Sequence, residues 1–189
     1  MQWCFNRLRV QGSPTEVDEF ARIVRVAKEL AHRSPLIYPL YFGTLAPRPL
    51  ALDVNEEPMG DLAYDAYHGD FSKVLEYPGI LGRGFTTRME VCRFLGSRSS
   101  QFRSFEKLFE SNLQHYGHRT WLTWNLEHYG TKWDLNEDTR FARIAPGVIE
   151  YHFQTMGAPP EPWVKLAARQ FPALDLSLLD ALADLLLSR

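Results

Sequence analysis

Three tryptophans, Trp121, Trp124 and Trp133, share a short segment with His128, Tyr129, Lys132 and Asp134. Flat indole faces beside a cation can stack bases or another planar ligand, and tryptophan often carries the binding energy at interfaces. The same indoles can instead plug the seam between helices and a sheet, since large aromatics are mostly buried. Spacing alone leaves both readings open. Within the segment, Gly130-Thr131 reads as a turn, Asp134 as an acceptor for nearby backbone N–H groups, and Trp133 as a side chain buried against a sheet.

Other groupings promise less chemistry. Arg83, Arg88, Arg93, Arg98 and Arg103 recur every five residues, but on a helix that step turns about 140° beyond a full circle, so they spiral round the axis and form no phosphate-tracking stripe. Arg98 and Arg103 remain candidates for a basic patch, with neutralisation by the acidic stretch 53–77 as the alternative. His115-x-x-His118 with His128 has no HExxH or CxxC beside it, so neither metal nor cofactor is expected. His68-Gly69-Asp70 has no serine or cysteine nucleophile to act on, and Gly79, Gly82 and Gly84 lack the Lys-Ser/Thr that a phosphate loop needs. No catalytic residue can be named.

The elements that must position these residues follow from periodicity. Residues 3–11 alternate, with Trp3, Phe5, Arg7, Arg9 and Gln11 on one side, and read as a strand closed by Gly12. Ser13, Pro14 and Glu16 then start a helix whose apolar face, Val17, Phe20, Val24, Ala27 and Ala31, predicts a span of 14–31 ended by Ser34-Pro35. A short strand is expected within 38–52, despite three prolines. Phe102, Phe105, Phe109, Leu113 and Tyr116 mark an amphipathic helix. A strand over 148–155, a helix over 160–171, a strand over 174–178 and a helical 179–187 complete the skeleton. That order predicts an α+β chain: a ferredoxin-like (split βαβ) antiparallel sheet, with the helices 14–31 and 160–171 on one of its faces. It is read as one domain, 1–189, whose core of 1–52 and 148–178 carries a large, mainly helical insertion over 53–147.

Composition bounds the function. The chain has 189 residues, 45% hydrophobic and 23% charged, with a net charge of −2. That is ordinary globular composition and argues against a surface built wholly to hold nucleic acid by counterion release. Cys4 and Cys92 give no disulfide framework, and no leader-like or spanning apolar run is found, so a soluble, cytoplasmic protein is expected.

Several blocks resemble the YubB-like family of plasmid and phage proteins: Trp3-Cys4-Phe5-Asn6-Arg7-Leu8 with Val10 and Gly12, Pro47-Arg48-Pro49, Tyr129-Gly130-Thr131-Lys132-Trp133-Asp134, and Phe153-Gln154-Thr155 leading to Pro159-Pro160. The resemblance implies a ferredoxin-like domain on a mobile genetic element and supplies no catalytic residue. The expectation is a non-enzymatic interaction protein that binds a host or phage protein, one form being interference with a host defence. A nucleic-acid-binding accessory protein and an enzyme with an unrecognised site are the alternatives. The candidate surface is Trp121, Trp124, His128, Tyr129, Lys132, Trp133, Asp134, Arg98 and Arg103.

Overall fold

The computed structural model describes residues 3–30, 33–54, 58–134 and 138–180. It is a mixed α/β structure that divides into two compact units, one of residues 1–48 with 124–189 and one of residues 49–123. Among the described residues no helix is long and apolar enough to cross a membrane.

In the first unit the alternating segment forms β1 (Trp3–Gln11), the hub of a four-stranded antiparallel sheet. One neighbour is β5 (Val148–Met156), paired from Trp3↔Met156 to Gln11↔Val148; the other is β6 (Asp175–Asp180). On the far side of β5 lies β4 (Arg140–Ala145), giving the order β4-β5-β1-β6. The period of two decides which face is dry: Leu8 and Val10 stand with Ile149, Tyr151 and Phe153 on the buried side.

Two helices cover that side. α1 (Pro14–Ile23) begins as predicted: Ser13 Oγ accepts from the Glu16 N–H, and Pro14 occupies a first-turn position where no N–H is needed. Phe20 on α1 packs edge-on against Tyr151, at 6.3 Å, and against Phe171, at 5.1 Å. Phe171 caps the C-terminal end of α7 (Glu161–Gln170). Trp163 on α7 is fully buried; its ring lies 4.9 Å from Phe42, and its Nε1 donates to the Phe42 carbonyl at 3.0 Å. Phe42 in turn meets Phe153 of β5. Side chains of this size stabilise by roughly 1.5–3 kcal/mol each on burial, so this aromatic layer is a large part of the unit's hydrophobic stabilisation.

Three sequence expectations need correction here. The helix predicted to run to residue 31 stops at Ile23, and β2 (Val26–Leu30) pairs with β3 (Arg33–Tyr38) as a separate two-stranded sheet. The β-branched run Ile23, Val24, Val26 favours that outcome once a partner strand exists. No strand occupies 39–52: residues 42–44 and 50–52 are 3-10 turns, as Pro39, Pro47 and Pro49 withhold the donors a ladder needs. The further strand of the main sheet is instead β4, which sits inside the stretch expected to be helical insertion. The predicted strands over 148–155 and 174–178 and the helix over 160–171 are present, while the helix predicted over 179–187 falls on β6 and otherwise outside the described residues.

The second unit is helical: α2 (Pro58–Tyr67), α3 (Phe71–Leu75), α4 (Arg88–Arg98) and α5 (Phe102–Tyr116), with α6 (Trp121–His128) crossing its boundary at 123/124. Leu62, Ala66, Val74, Val91, Leu95 and Phe102 form its core. A Cβ on Gly60 would come within 2.5 Å of the Phe109 ring, so glycine there permits the close α2–α5 approach. Thr87 and Glu90 form a capping box on α4; backbone N–H bonds from Thr86 and Thr87 hold the Glu90 carboxyl below the usual range.

Candidate binding surface

The side of β1 that faces away from the aromatic layer carries Trp3, Phe5, Arg7 and Arg9, and the register extends it across the sheet. Trp3 is 46% and Phe5 39% exposed. Two residues apart on one strand, their backbone positions are about 6.7 Å apart and their side chains share one face. In the next row Arg7 lies opposite His152 of β5, which lies opposite Arg140 of β4. Three side chains able to carry positive charge therefore sit side by side on adjacent strands. Arg7 is half-buried, and Arg140 on the edge strand is exposed. Glu150 tempers the row, lying 3.4 Å from both Arg9 Nη1 and His152 Nε2.

The residues singled out from sequence are placed differently. Trp124 and Tyr129 are buried. Tyr129 Oη donates to the Ala46 carbonyl at 2.9 Å, and burial pushes its phenol well above the usual range. His128 stacks on Trp124 with ring centroids 4.0 Å apart and rings 6° from parallel, its Nδ1 3.0 Å from the Trp124 carbonyl. Asp134 accepts from backbone, but from a segment about ninety residues away rather than from its own turn: its oxygens take the Phe42 and Gly43 N–H groups at 2.9 and 3.1 Å, pinning the turn that supports Trp163. Lys132 is held through its backbone, with its N–H directed to Met156 and its carbonyl accepting from Asn125. Gly130 has φ of +81°, and a Cβ there would meet Pro162 at 2.4 Å, so the turn requires glycine.

Trp133 departs from expectation. It is 48% exposed rather than buried against the sheet, with Lys132 Nζ 5.3 Å from its ring centroid. The buried anchor is Trp163, because the block is fastened through the Asp134 carboxylate and backbone, leaving the indole outside. Trp121 is half-buried.

Arg98 and Arg103 serve within the helical unit. Arg98 lies over Phe94 at 4.5 Å and Arg103 over Tyr67 at 4.3 Å, and Arg103 pairs with the buried Glu106 at 3.3 Å. Arg88 donates to the carbonyls of Asp65, Ala66 and Gly69 at the end of α2, satisfying groups a helix terminus leaves open. Arg119 pairs with Asp61 and Asp65 at 3.0 and 3.4 Å. Several of the regularly spaced arginines thus brace helices and rings.

The open-face residues were visible in sequence only as the alternation of 3–11; their neighbours Arg140 and His152 come from strands that adjoin β1's partner or pair with it directly, which no local pattern announces.

No family model matches the chain. No match was found among curated proteins. Among solved structures, the crystal structure of protein api92 from Yersinia pseudotuberculosis, assigned to the DUF1281 family model, is similar over 97% of this chain and 91% of that one, with 14% identity and a TM-score of 0.42. A likeness at that level carries no argument about this protein's fold or function.

Proposed function

We propose that this is a non-enzymatic binding protein whose sheet is ferredoxin-like and whose open face takes single-stranded nucleic acid. The strand order β4-β5-β1-β6, with α1 following β1 and α7 joining β5 to β6 on the covered side, supports the split-βαβ reading. The observation that carries the function is the row Arg140, His152, Arg7 beside the exposed rings of Phe5 and Trp3. Unstacked bases lie on aromatic faces, while cations beside them hold the backbone phosphates. A duplex keeps its bases stacked inside and offers the rings nothing.

The test is fluorescence anisotropy with labelled single-stranded and duplex oligonucleotides. Single strands bind more tightly than the duplex, and Trp3→Ala or Phe5→Ala weakens them about 5- to 150-fold, the worth of one stacked base. Replacing Arg7 and Arg140 together lowers the slope of log affinity against log salt by about 1.4, at roughly 0.7 per phosphate contact. Absence of binding at low salt, or unchanged affinity in the Phe5 variant, would overturn the proposal.

A second reading is the one the family resemblance implies, a mobile-element protein that modulates a host or defence protein. The half-exposed indole of Trp133 favours it, as such residues often anchor protein interfaces. Affinity capture with and without nuclease separates the two: partner recovery that survives nuclease and is lost in Trp133→Ala belongs to the second reading.

A further inference from the structure

On the covered side of the same sheet, α1 reaches β5 through Phe20 and meets β4 at the Asp18–Arg143 ion pair, but it ends at Ile23 and leaves most of the edge strand β4 exposed. Phe141 of β4 lies opposite Tyr151 and points to the core side, yet it is 43% exposed. The space it faces is a cleft of about 670 Å³, walled by Arg22, Arg25 and Ile37, with Phe141, Arg143 and Tyr151 contributed by the sheet. That volume lies in the range of small-molecule sites, roughly 300–1,000 Å³.

Its polar groups are few and uneven. Arg22 is committed to Glu19 through two hydrogen bonds of 2.7 and 3.0 Å, and Arg143 is shared between Asp18 and the Pro146 carbonyl. Arg25 makes no ion pair among the described side chains. Tyr151 is fully buried, and its hydroxyl has no hydrogen-bond partner among the described residues. A hydroxyl stripped of water without a partner carries an uncompensated cost, which an acceptor reaching into the cleft would remove. Burial also raises the phenol above its usual range, against the pull of Arg143, so the group stays a donor. Phe141, 5.4 Å from the Tyr151 ring, and Ile37, itself 46% exposed, supply the apolar surface.

We propose that this cleft binds a small aromatic phosphate of the mononucleotide class. Its planar base lies against Phe141 and Ile37, Arg25 meets the phosphate, and a ligand acceptor takes the Tyr151 hydroxyl. The guanidinium fork matches two phosphate oxygens, and the exposed ring offers a stacking face that a bare phosphate would not use. This site is separate from the open face and does not rest on the function proposed for it.

The experiment is calorimetric titration of the full chain with the four ribonucleoside monophosphates, using inorganic phosphate, ribose 5-phosphate and adenosine as controls. At least one mononucleotide binds with a Kd below about 1 mM. The controls bind at least tenfold more weakly. Arg25→Gln and Phe141→Ala each weaken binding about tenfold or more while leaving the unliganded melting temperature nearly unchanged, because both side chains are solvent-facing. Tyr151→Phe weakens binding without lowering that temperature, since it removes only an unpartnered hydroxyl. Oligonucleotide affinity stays at the wild-type value in all three variants, which separates this site from the open face. The proposal is overturned if no mononucleotide binds, if inorganic phosphate binds as well as the mononucleotides, or if the Arg25 and Phe141 variants titrate like wild type.

Discussion

The two faces of the four-stranded sheet are made from the same strands, yet they spend their aromatic residues in opposite ways. On the covered face, Tyr151 and Phe153 are buried within a layer completed by Phe20, Phe42 and Trp163. On the open face, Trp3 and Phe5 meet water beside a row of basic side chains. A strand's alternation forces this division: each residue added to one face is followed by a residue committed to the other. The lesson is that aromatic content alone does not tell core from surface; what tells them apart is which face the helices leave bare.

The sharpest test of this contrast is Trp163→Ala. Removal of a fully buried indole, together with its bond to the Phe42 carbonyl, is expected to lower stability by about 3–5 kcal/mol, read from urea denaturation. A loss under 1 kcal/mol would dissolve the distinction between the faces. Next in size is Asp134→Ala, which leaves the Phe42 and Gly43 N–H groups without their acceptor and should cost about 1–3 kcal/mol. Asp134→Asn, which keeps an oxygen for one of them, should recover part of that loss. Smallest is the effect of Phe5→Ala or Trp133→Ala on stability, expected within about 1 kcal/mol for such exposed side chains. If Phe5→Ala destabilised as strongly as Trp163→Ala, the open face would be a packed one.

Much of the skeleton was legible because its signals are local. Ser13-Pro14-Glu16 announced the start of α1, alternation announced β1 and β5, and the spacing of Phe102, Phe105 and Phe109 announced α5. What escaped depends on partners distant in sequence. Val24 and Ala27 fit a helical face as well as a strand, and only pairing of Val26 with Tyr38 and Ala27 with Ile37 decides the matter. Arg140–Ala145 becomes a strand because β5 offers it an edge. In the candidate site, a short acceptor beside a turn marked Asp134 as a backbone acceptor, but its partners, the Phe42 and Gly43 N–H groups, are distant in sequence and were not readable. The burial of Trp163 and the exposure of Trp133 were not, since both are indoles and only the docking of α7 on Phe42 tells them apart.

The position of β1 between β5 and β6 has a consequence for how the polypeptide is made. Asn6 can reach the Cys4 carbonyl at once, but its bond to the Thr155 hydroxyl waits for a residue 149 positions downstream. At about 5–20 residues per second of translation, that is a delay of roughly 7–30 s. The contacts that close the helical unit, such as those between α2 and α5, join segments much nearer in sequence and can form while the chain is still growing. The hub of the sheet is therefore synthesised before both strands it pairs with and is among the last to be paired. Throughout that interval its apolar residues Leu8 and Val10 stay unsheltered on the nascent chain, which makes this strand the place where a holding chaperone would matter most.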